Sequence, residues 1–279
     1  GARRSFAAKN EAGAELQIDI SPVLSKYGEK EPLGTLAIVK DVTEKNRIET
    51  MRKDFVATVS HEFRTPLTLI SGVIEMLRMY DDLPRADRNR SLEMLEIETE
   101  RLKKLISELL MLSRMENRIF SSEPGPIDVE KVLGQVMAAL EPLAQKKGQV
   151  LKFAMSQGAA PLRGDESWFF HAIQNLVENA IKYTPAGGAI AVEAASDERE
   201  LRIAVRDNGI GIAPEDMDRI FERFYRADKS RGSETGGSGL GLAIAKDIIS
   251  LLNGEISVES APGSGSVFTV RIPLSRDAG

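Results

Sequence analysis

No cysteine occurs among the 279 residues, so disulfide bonds and thiolate metal sites are excluded. Histidine is nearly as scarce, because only His61 and His171 are present. No run approaches the ~20 apolar residues that a membrane helix needs, and no signal peptide is visible. The formal net charge of -5 argues against a general nucleic-acid binder, which needs clustered positive charge.

The remaining composition is that of a chain that folds, since 42% of the residues are hydrophobic and 28% are charged. The lack of cysteine fits a reducing compartment, so we expect a cytoplasmic protein with no membrane contact in this segment. Because the chain begins with Gly1 rather than methionine, we also expect a piece of a longer protein. An upstream membrane-bound part stays open.

Residues 1–43 contain two strand-like runs, at 16–20 and 33–39, which are rich in apolar and β-branched side chains. Two strands alone do not make a stable domain. We interpret this region as the tail of a truncated domain. A hairpin packed on another structure and an extension without a role are the alternatives.

Residues 44–120 carry apolar side chains at helical spacing in two long runs, which a short loop with Pro84 separates. This pattern predicts a helical hairpin. A single hairpin leaves much of its apolar stripe exposed, whereas two hairpins that pair into a four-helix bundle bury it. The sequence therefore predicts a homodimer through residues 44–118, and a plain coiled coil is the alternative.

Residues 121–126 are expected to be a linker, and residues 127–275 mix helix and strand patterns. Helices are expected at 128–147, 165–182 and 240–252, and strands at 150–155, 189–195, 201–206, 255–260 and 266–274. Asp165 is a good N-cap for the second of these helices. Hairpins and long helices together predict an α+β two-layer sandwich, with helices on one face of a mixed sheet. Residues 276–279 are a tail.

His61 is the residue of the helical region with the clearest chemistry. A neutral imidazole is a nucleophile near neutral pH, and the adjacent carboxylate of Glu62 can orient the ring and take its proton. Thr65 shares a helix face with His61. At ~100° per residue, His61 lies about 120° from the apolar seam and should face solvent. His171 lies beside two phenylalanines and is expected to be packed or at the surface.

Asn175 and Asn179 lie one turn apart on the expected helix 165–182, and Lys182 lies on the same side. Asparagine is a weak helix former, so two of them at this spacing suggest a role for the side chains. An amide oxygen is a suitable ligand for Mg²⁺, and a lysine can contact phosphate. A polar surface stripe is the alternative.

Two glycine-rich runs follow, at 207–212 and 236–242. In the first, glycines let the backbone turn tightly and approach a flat ligand, while Asp207 at the strand end can accept a hydrogen bond from an exocyclic amine. The second run precedes a helix, whose free N–H groups form an anion site. The basic stretch 223–231 between them is typical of a lid over phosphates. Each glycine run taken alone is also compatible with a plain turn.

In their order, these motifs resemble the five boxes of a sensor histidine kinase of a two-component system. The boxes are the His61 run, the Asn175 and Asn179 helix, the Asp207 turn, the run 221–224 and the glycine run 237–241. The resemblance covers roughly residues 44–275. It implies a HisKA-type dimerisation and phosphotransfer hairpin, then an ATP-binding domain of the GHKL (Bergerat) fold. The turn 41–43 is similar to the exit of a PAS sensor domain, of which residues 1–43 would be the tail.

The resemblance also implies a role for each matching residue. His61 would be the phosphorylated nucleophile, and Glu62 would be the base. Lys182 and Arg226 would contact phosphates, whereas Asp207 would read the adenine amino group. The residues implied to bind the ATP and its Mg²⁺ are Asn175, Asn179 (the Mg²⁺ ligand), Lys182, Tyr183 (against the adenine), Asp207, Gly209, Gly211, Arg226, Gly237, Gly239, Leu240 and Gly241.

The implied activity is ATP-dependent autophosphorylation of His61, followed by transfer of the phosphoryl group to an aspartate of a separate response regulator. Glu62 and Thr65 match the E-x-x-T pattern of family members that also dephosphorylate their partner. Thr65 would then position the attacking water, so phosphatase activity is expected too. A GHKL-type ATPase and a non-kinase signalling scaffold are the alternatives.

Overall fold

The fold is described from a computed structural model of the chain. The described residues are 4–24, 32–80, 82–117, 119, 125–156, 162–197, 199–227 and 237–274. The chain divides into two compact units, residues 1–65 and 66–279, and the boundary between them falls within the first helix. Part of the predicted linker, residues 121–124, and the whole predicted tail 276–279 lie outside the described residues.

A three-stranded antiparallel sheet of order β1-β2-β3 comes first. Its strands are β1 (Arg4–Lys9), β2 (Glu15–Leu24) and β3 (Pro32–Asp41). Both strands predicted from the sequence are present and longer than expected, while β1 was not predicted. Glu15 connects this sheet to the helix that follows, because its backbone N–H donates to Thr43 Oγ1 at 2.8 Å and its carboxylate accepts from Asn46 Nδ2 at 2.7 Å.

Two long helices follow, α1 (Thr43–Met79) and α2 (Arg85–Glu116), as the apolar spacing predicts. α1 continues as one helix through Pro66, which is buried. No helix in the described parts of the chain is long and apolar enough to span a membrane. Both helices expose large apolar side chains, among them Ile48, Met51, Val56, Leu67, Leu69, Ile74, Leu92, Ile106 and Leu110.

The remainder is a two-layer α+β sandwich, which confirms the predicted fold class. A mixed five-stranded sheet has the order β5-β7-β8-β10-β9, in which only the β5–β7 pair is parallel. These strands are β5 (Val150–Met155), β7 (Ala189–Ser196), β8 (Glu200–Asp207), β9 (Glu255–Ser260) and β10 (Ser266–Pro273). The helices are α3 (Val129–Lys146), α4 (Glu166–Tyr183) and α5 (Gly241–Leu251).

Alternating burial shows which face of the sheet the helices cover. In β8, Leu201, Ile203 and Val205 are buried, whereas Arg202 and Arg206 are exposed. An apolar stripe on α4 packs against the covered face, and burying such side chains is the main force that holds the two layers together. Its fully buried members include Phe169, Ile173, Leu176 and Val177.

Two short strands, β4 (Gly125–Ile127) and β6 (Leu162–Gly164), pair with each other and were not predicted. The last two residues of the predicted linker therefore lie in a strand. Two of the three helices of this region, α3 and α4, are capped by an aspartate side chain at their start. Asp128 Oδ1 accepts from Lys131 N at 3.0 Å, and Asp165 Oδ1 accepts from Ser167 N at 2.9 Å.

The apolar side chains of α2 divide into two sets, whereas the sequence pattern predicted a single stripe for dimerisation. Leu105, Leu112 and Met115 are buried within this chain, where α2 packs against α5. Ile106 and Leu110 stay exposed. Only the exposed set is therefore available to a second copy of the chain.

Candidate nucleotide and phosphoacceptor sites

The imidazole of His61 is exposed on α1, as the helical-wheel position predicts. Thr65 lies one turn further on, and its Oγ1 donates to the His61 carbonyl at 3.3 Å. Ser60 makes the same type of bond, from its Oγ to the Val56 carbonyl at 2.8 Å. Glu62 is half-buried. The structure thus presents the histidine and the threonine on one accessible helix face.

The polar residues predicted on α4 lie together on its half-buried side. Asn175, Asn179 and Lys182 are each partly exposed, while the apolar residues between them are buried. A Cβ atom added to Gly241 would lie 3.0 Å from Asn175 Oδ1, so the start of α5 approaches this face closely. The helix and the second glycine run therefore form two sides of one site.

The amine of Lys182 is in an unusual electrostatic environment. Its pKa is lowered to about 8, first by burial and then by the positive charges of Arg226, Lys104 and Arg101, while Glu108 opposes the shift. A group of neighbouring cations favours binding of an anion. The position fits the predicted contact between Lys182 and phosphate.

The end of α4 is held by two residues that the motif analysis did not single out, Lys147 and Gln149. Lys147 Nζ donates to three carbonyls at 2.7 to 3.2 Å, and Gln149 Nε2 donates to three at 2.6 to 3.4 Å. The carbonyls belong to Ile181, Lys182, Thr184 and Pro185. Such donors satisfy the last carbonyls of a helix and complement its dipole. They also fix the backbone of Tyr183, whose carbonyl accepts from Ile210 N at 3.2 Å.

Asp207 ends β8 as a buried carboxylate, only 7% exposed. Its Oδ1 accepts from the backbone N–H of Gly209 at 2.8 Å. Burial raises the pKa of the Asp207 carboxyl, although the backbone N–H groups of Gly209 and Ser266 counteract the shift. Buried carboxylates with shifted pKa values are typical of functional sites, which fits the predicted recognition of the adenine amine.

Gly209 and Gly211 are positions that only glycine fits. A Cβ on Gly209 would lie 2.5 Å from the Tyr183 carbonyl oxygen. Gly211 has φ +70°, and a Cβ there would lie 2.0 Å from the Ala261 carbonyl oxygen. The backbone of this turn therefore packs tightly between the end of α4 and the β9–β10 turn.

The second glycine run closes the site from the α5 side. Phe224 N donates to the Gly239 carbonyl at 2.9 Å, which connects the run to the 221–224 box. A Cβ on Gly237 would lie 2.5 Å from Lys182 Nζ, so the run passes beside the lysine amine. Leu240 is fully buried, and its N–H donates to Ser238 Oγ at 3.1 Å.

The basic stretch 223–231 is described only in part. Arg226 is half-buried and adds to the positive charge around Lys182. Arg223 instead forms ion pairs with Glu116 of α2 at 2.9 Å and Asp247 of α5 at 3.2 Å. Lys229 and Arg231 lie outside the described residues.

α2 contributes further charged contacts that sequence reasoning missed. Lys104 forms an ion pair with Glu178 of α4, and Glu108 accepts a hydrogen bond from the Ser238 hydroxyl. These partners are 74 and 130 residues apart in sequence. No local pattern could have signalled them, since only the fold brings them together.

Among the described residues, no cluster of three or more His, Cys, Asp or Glu side chains could hold a metal ion by itself. A divalent ion here would therefore depend on the Asn179 amide together with the oxygens of a bound nucleotide. A cavity of about 510 Å³ opens on the other side of β8, and its lining includes Asp207 alone of the predicted residues. It is separate from the face of α4.

Two family profiles match the chain in the order that the motifs predict. Residues 51–118 match the "His Kinase A (phospho-acceptor) domain", and residues 164–276 match the "Histidine kinase-, DNA gyrase B-, and HSP90-like ATPase". The first contains His61, and the second contains every predicted nucleotide-binding residue. The match to this ATPase family indicates that the cofactor is ATP.

Full-length relatives show the same likeness. The chain is 39% identical over 251 residues to the phosphate regulon sensor protein PhoR of Pseudomonas aeruginosa, covering 88% of this chain and 55% of that protein. It is 36% identical over 278 residues to the sensor-like histidine kinase SenX3 of Mycolicibacterium smegmatis, covering 94% and 72% respectively. The chain thus spans about half the length of the first protein and about 70% of the second.

Among solved structures, the histidine kinase ThkA in its complex with the response regulator protein TrrA has the same fold. It aligns with a TM-score of 0.63 at 23% sequence identity, covering 99% of this chain and 80% of that chain. At this level of identity the likeness shows the fold alone.

Proposed function

Because the chain belongs to the sensor histidine kinases, we propose that it phosphorylates His61 with ATP and passes the phosphoryl group to an aspartate of a separate response regulator. One observation carries the proposal. The chain's exposed histidine on a long helix is followed by a nucleotide-type site, in which the glycine run 237–241 passes beside Asn175 and Lys182 of α4 and the turn after Asp207 packs against the end of the same helix.

His61 is the nucleophile in this proposal. A ring nitrogen attacks the γ-phosphorus of ATP, the bond from that phosphorus to the bridging oxygen breaks, and ADP leaves. Glu62, the next residue, orients the ring and accepts its proton. Exposure of the imidazole on α1 supports this role, because the ring must be reached both by the nucleotide and by the partner's aspartate.

The nucleotide is bound by residues of the second region. Asp207 accepts a hydrogen bond from the adenine amine, and Tyr183 lies against the ring. Lys182 and Arg226 hold the phosphates, and the N–H groups of the glycine run 237–241 assist them. Asn179, supported by Asn175, offers an amide oxygen to Mg²⁺, which neutralises phosphate charge during transfer.

The partners follow from the same account. A second copy of the chain covers the exposed apolar side chains of α1 and α2, which gives a homodimer through residues 44–118. A receiver domain accepts the phosphoryl group, and the occurrence of ThkA in complex with a response regulator supports this class of partner. The exposed hydroxyl of Thr65 beside His61 supports a second activity, dephosphorylation of the same partner.

The domain limits remain proposals: 1–43 for the tail of a PAS-like sensor domain, 44–120 for the phosphotransfer hairpin and 127–275 for the ATP-binding domain. The three-stranded antiparallel sheet before α1 supports the first of these. Placement of this region in the cytoplasm also stays a prediction.

The test is incubation of the chain with γ-labelled ATP and Mg²⁺, followed by addition of purified receiver domains. We expect label on the protein that is acid-labile and base-stable, as phosphohistidine is, and that moves to one receiver. Release of labelled phosphate without labelled protein would instead support the ATPase alternative. A chain that binds no Mg-ATP would support the signalling scaffold.

A further inference from the structure

Glu108 is a buried carboxylate for which the proposed reaction has no use. It lies on α2 with only 8% of its surface exposed. Its carboxylate accepts a hydrogen bond from the hydroxyl of Ser238, which stands within the glycine run 237–241. Buried acids are uncommon unless they are paired, so its presence at this loop requires an explanation.

The charges around Glu108 compensate it only in part. Lys104 of α2 and Lys182 of α4 attract it, whereas Glu178 of α4 repels it. Lys104 is already engaged in an ion pair with Glu178. Burial has the largest effect, so the pKa of Glu108 is raised in spite of these cations and the Ser238 hydroxyl.

Packing of α2 does not depend on the negative charge at position 108. Leu105, Leu112 and Met115 of α2 are buried on the same side, and Arg223 holds Glu116 at the end of the helix. A glutamine at 108 could still accept from Ser238 through its amide oxygen. What the carboxylate adds to this position is therefore charge.

That charge stands where a triphosphate has to bind. Lys182 Nζ lies beside Gly237, and Ser238 is the next residue of the same run. Any phosphate that Lys182 and the run hold together comes close to the Glu108 carboxylate. Like charges repel strongly in a partly buried site, because screening by water is weak there.

We propose that the negative charge of Glu108 lowers the affinity of the nucleotide site for ATP. α2 brings this carboxylate to the phosphate side of the site, where it repels the phosphates of bound ATP. The inference rests on the proposed nucleotide site. It adds that the phosphotransfer hairpin itself, through α2, weakens ATP binding, and that it acts on the phosphates and not on the adenosine.

The test is the dissociation constant of Mg-ATP for the full chain and for Glu108→Gln. We expect the variant to bind Mg-ATP about tenfold more tightly and to bind adenosine with unchanged affinity. Glu108→Leu, which also removes the charge, should give the same pair of results if the glutamine variant folds poorly. Glu100→Gln is the matched control, since Glu100 is an exposed acid on the same helix that pairs with Lys103.

Three results would overturn the inference. Unchanged Mg-ATP affinity in variants that fold would show that the charge at 108 does not reach the phosphates. Equal changes for ATP and adenosine would show a structural effect on the whole site. An equal gain in Glu100→Gln would show only a general effect of net charge. If the unaltered chain binds no Mg-ATP, the proposed function fails together with the inference. In the three results above the unaltered chain does bind Mg-ATP, so only the inference fails.

Discussion

The side-chain amine of Lys182 titrates near neutral pH. Burial and the neighbouring cations lower the pKa of its amine to about 8 in the free protein. The charge is therefore complete well below that pH and is lost as the pH rises through it. A bound triphosphate favours the charged amine and raises its pKa, so binding and protonation are linked.

We expect the affinity for Mg-ATP to fall by about tenfold at one pH unit above the pKa of Lys182, because the site then has to take up a proton to bind. The measurement is the dissociation constant at several pH values between about 7 and 9. Lys182→Arg is the control, since arginine stays charged. A pH dependence of the same size in that variant would show that another group is responsible.

Thr65 has a side chain whose proposed role is separate from the kinase reaction. We expect Thr65→Ala to lower the rate of partner dephosphorylation by about tenfold or more, while His61 is still phosphorylated. The reason is that positioning a reactant such as the attacking water typically accelerates a reaction by this factor or more. Ser60→Ala is the matched control, because Ser60 makes the same hydroxyl-to-carbonyl bond on the same helix. An unchanged dephosphorylation rate in Thr65→Ala would show that the role given to Thr65 is wrong.

The turn after β8 is an element that glycine alone can build. Gly211→Ala would place a Cβ 2.0 Å from a backbone oxygen at a positive φ. We therefore expect the free energy of unfolding to fall by about 2 kcal/mol or more and ATP binding to weaken. In Gly134→Ala, the added Cβ on α3 would have no atom within 4 Å, so the free energy of unfolding should rise by roughly 0.5–1 kcal/mol. Urea unfolding of both variants checks this. A Gly211→Ala chain as stable as the original would contradict the close packing of the turn.

The elements that could be predicted from the sequence have strong local signals. The apolar spacing of α1 and α2, the N-cap Asp165 and the alternation in β8 identified those elements to within a few residues. β4 and β6 were missed because each has three residues and is stable only through pairing with the other. β1 was missed because the exposed side chains of Arg4–Lys9 show no hydrophobic alternation.

The same distinction between local and distant signals applies to the site. Asn175, Asn179 and Lys182 share a helix face, so spacing alone brought them together. The contacts of Glu108 with Ser238, and of Lys147 with the end of α4, join residues far apart in sequence. These contacts form only because α2 and the α3–β5 turn pack on α4 and α5. The periodicity of the sequence does not predict that packing.

On the scale of the whole molecule, the chain's exposed apolar side chains bear on assembly. Leu110 of α2 is 56% exposed, whereas Leu112 on the same helix is 2% exposed. We expect Leu110→Glu to convert the proposed dimer to a monomer that still binds Mg-ATP, because a buried, unpaired carboxylate strongly opposes a helix interface. Sedimentation measures the mass, and Leu251→Glu, at an exposed position of α5, is the control. A Leu110→Glu chain that stays dimeric would place the interface elsewhere.

The central claim concerns the route of one phosphoryl group through the molecule, from ATP to His61. The chain has only two histidines, so each can be replaced separately. His171 is exposed on α4 and its ring lies edge-on to Phe170, with 5.8 Å between the ring centroids. It is a suitable control for general effects of losing an imidazole.

The most direct measurement is labelling from γ-labelled Mg-ATP in the intact chain, in His61→Gln and in His171→Gln, with ATP binding measured in all three. We predict acid-labile label in the intact chain and in His171→Gln, no label in His61→Gln, and equal ATP binding throughout. Label that persists in His61→Gln, or an intact chain that binds ATP and takes no label, would contradict the account.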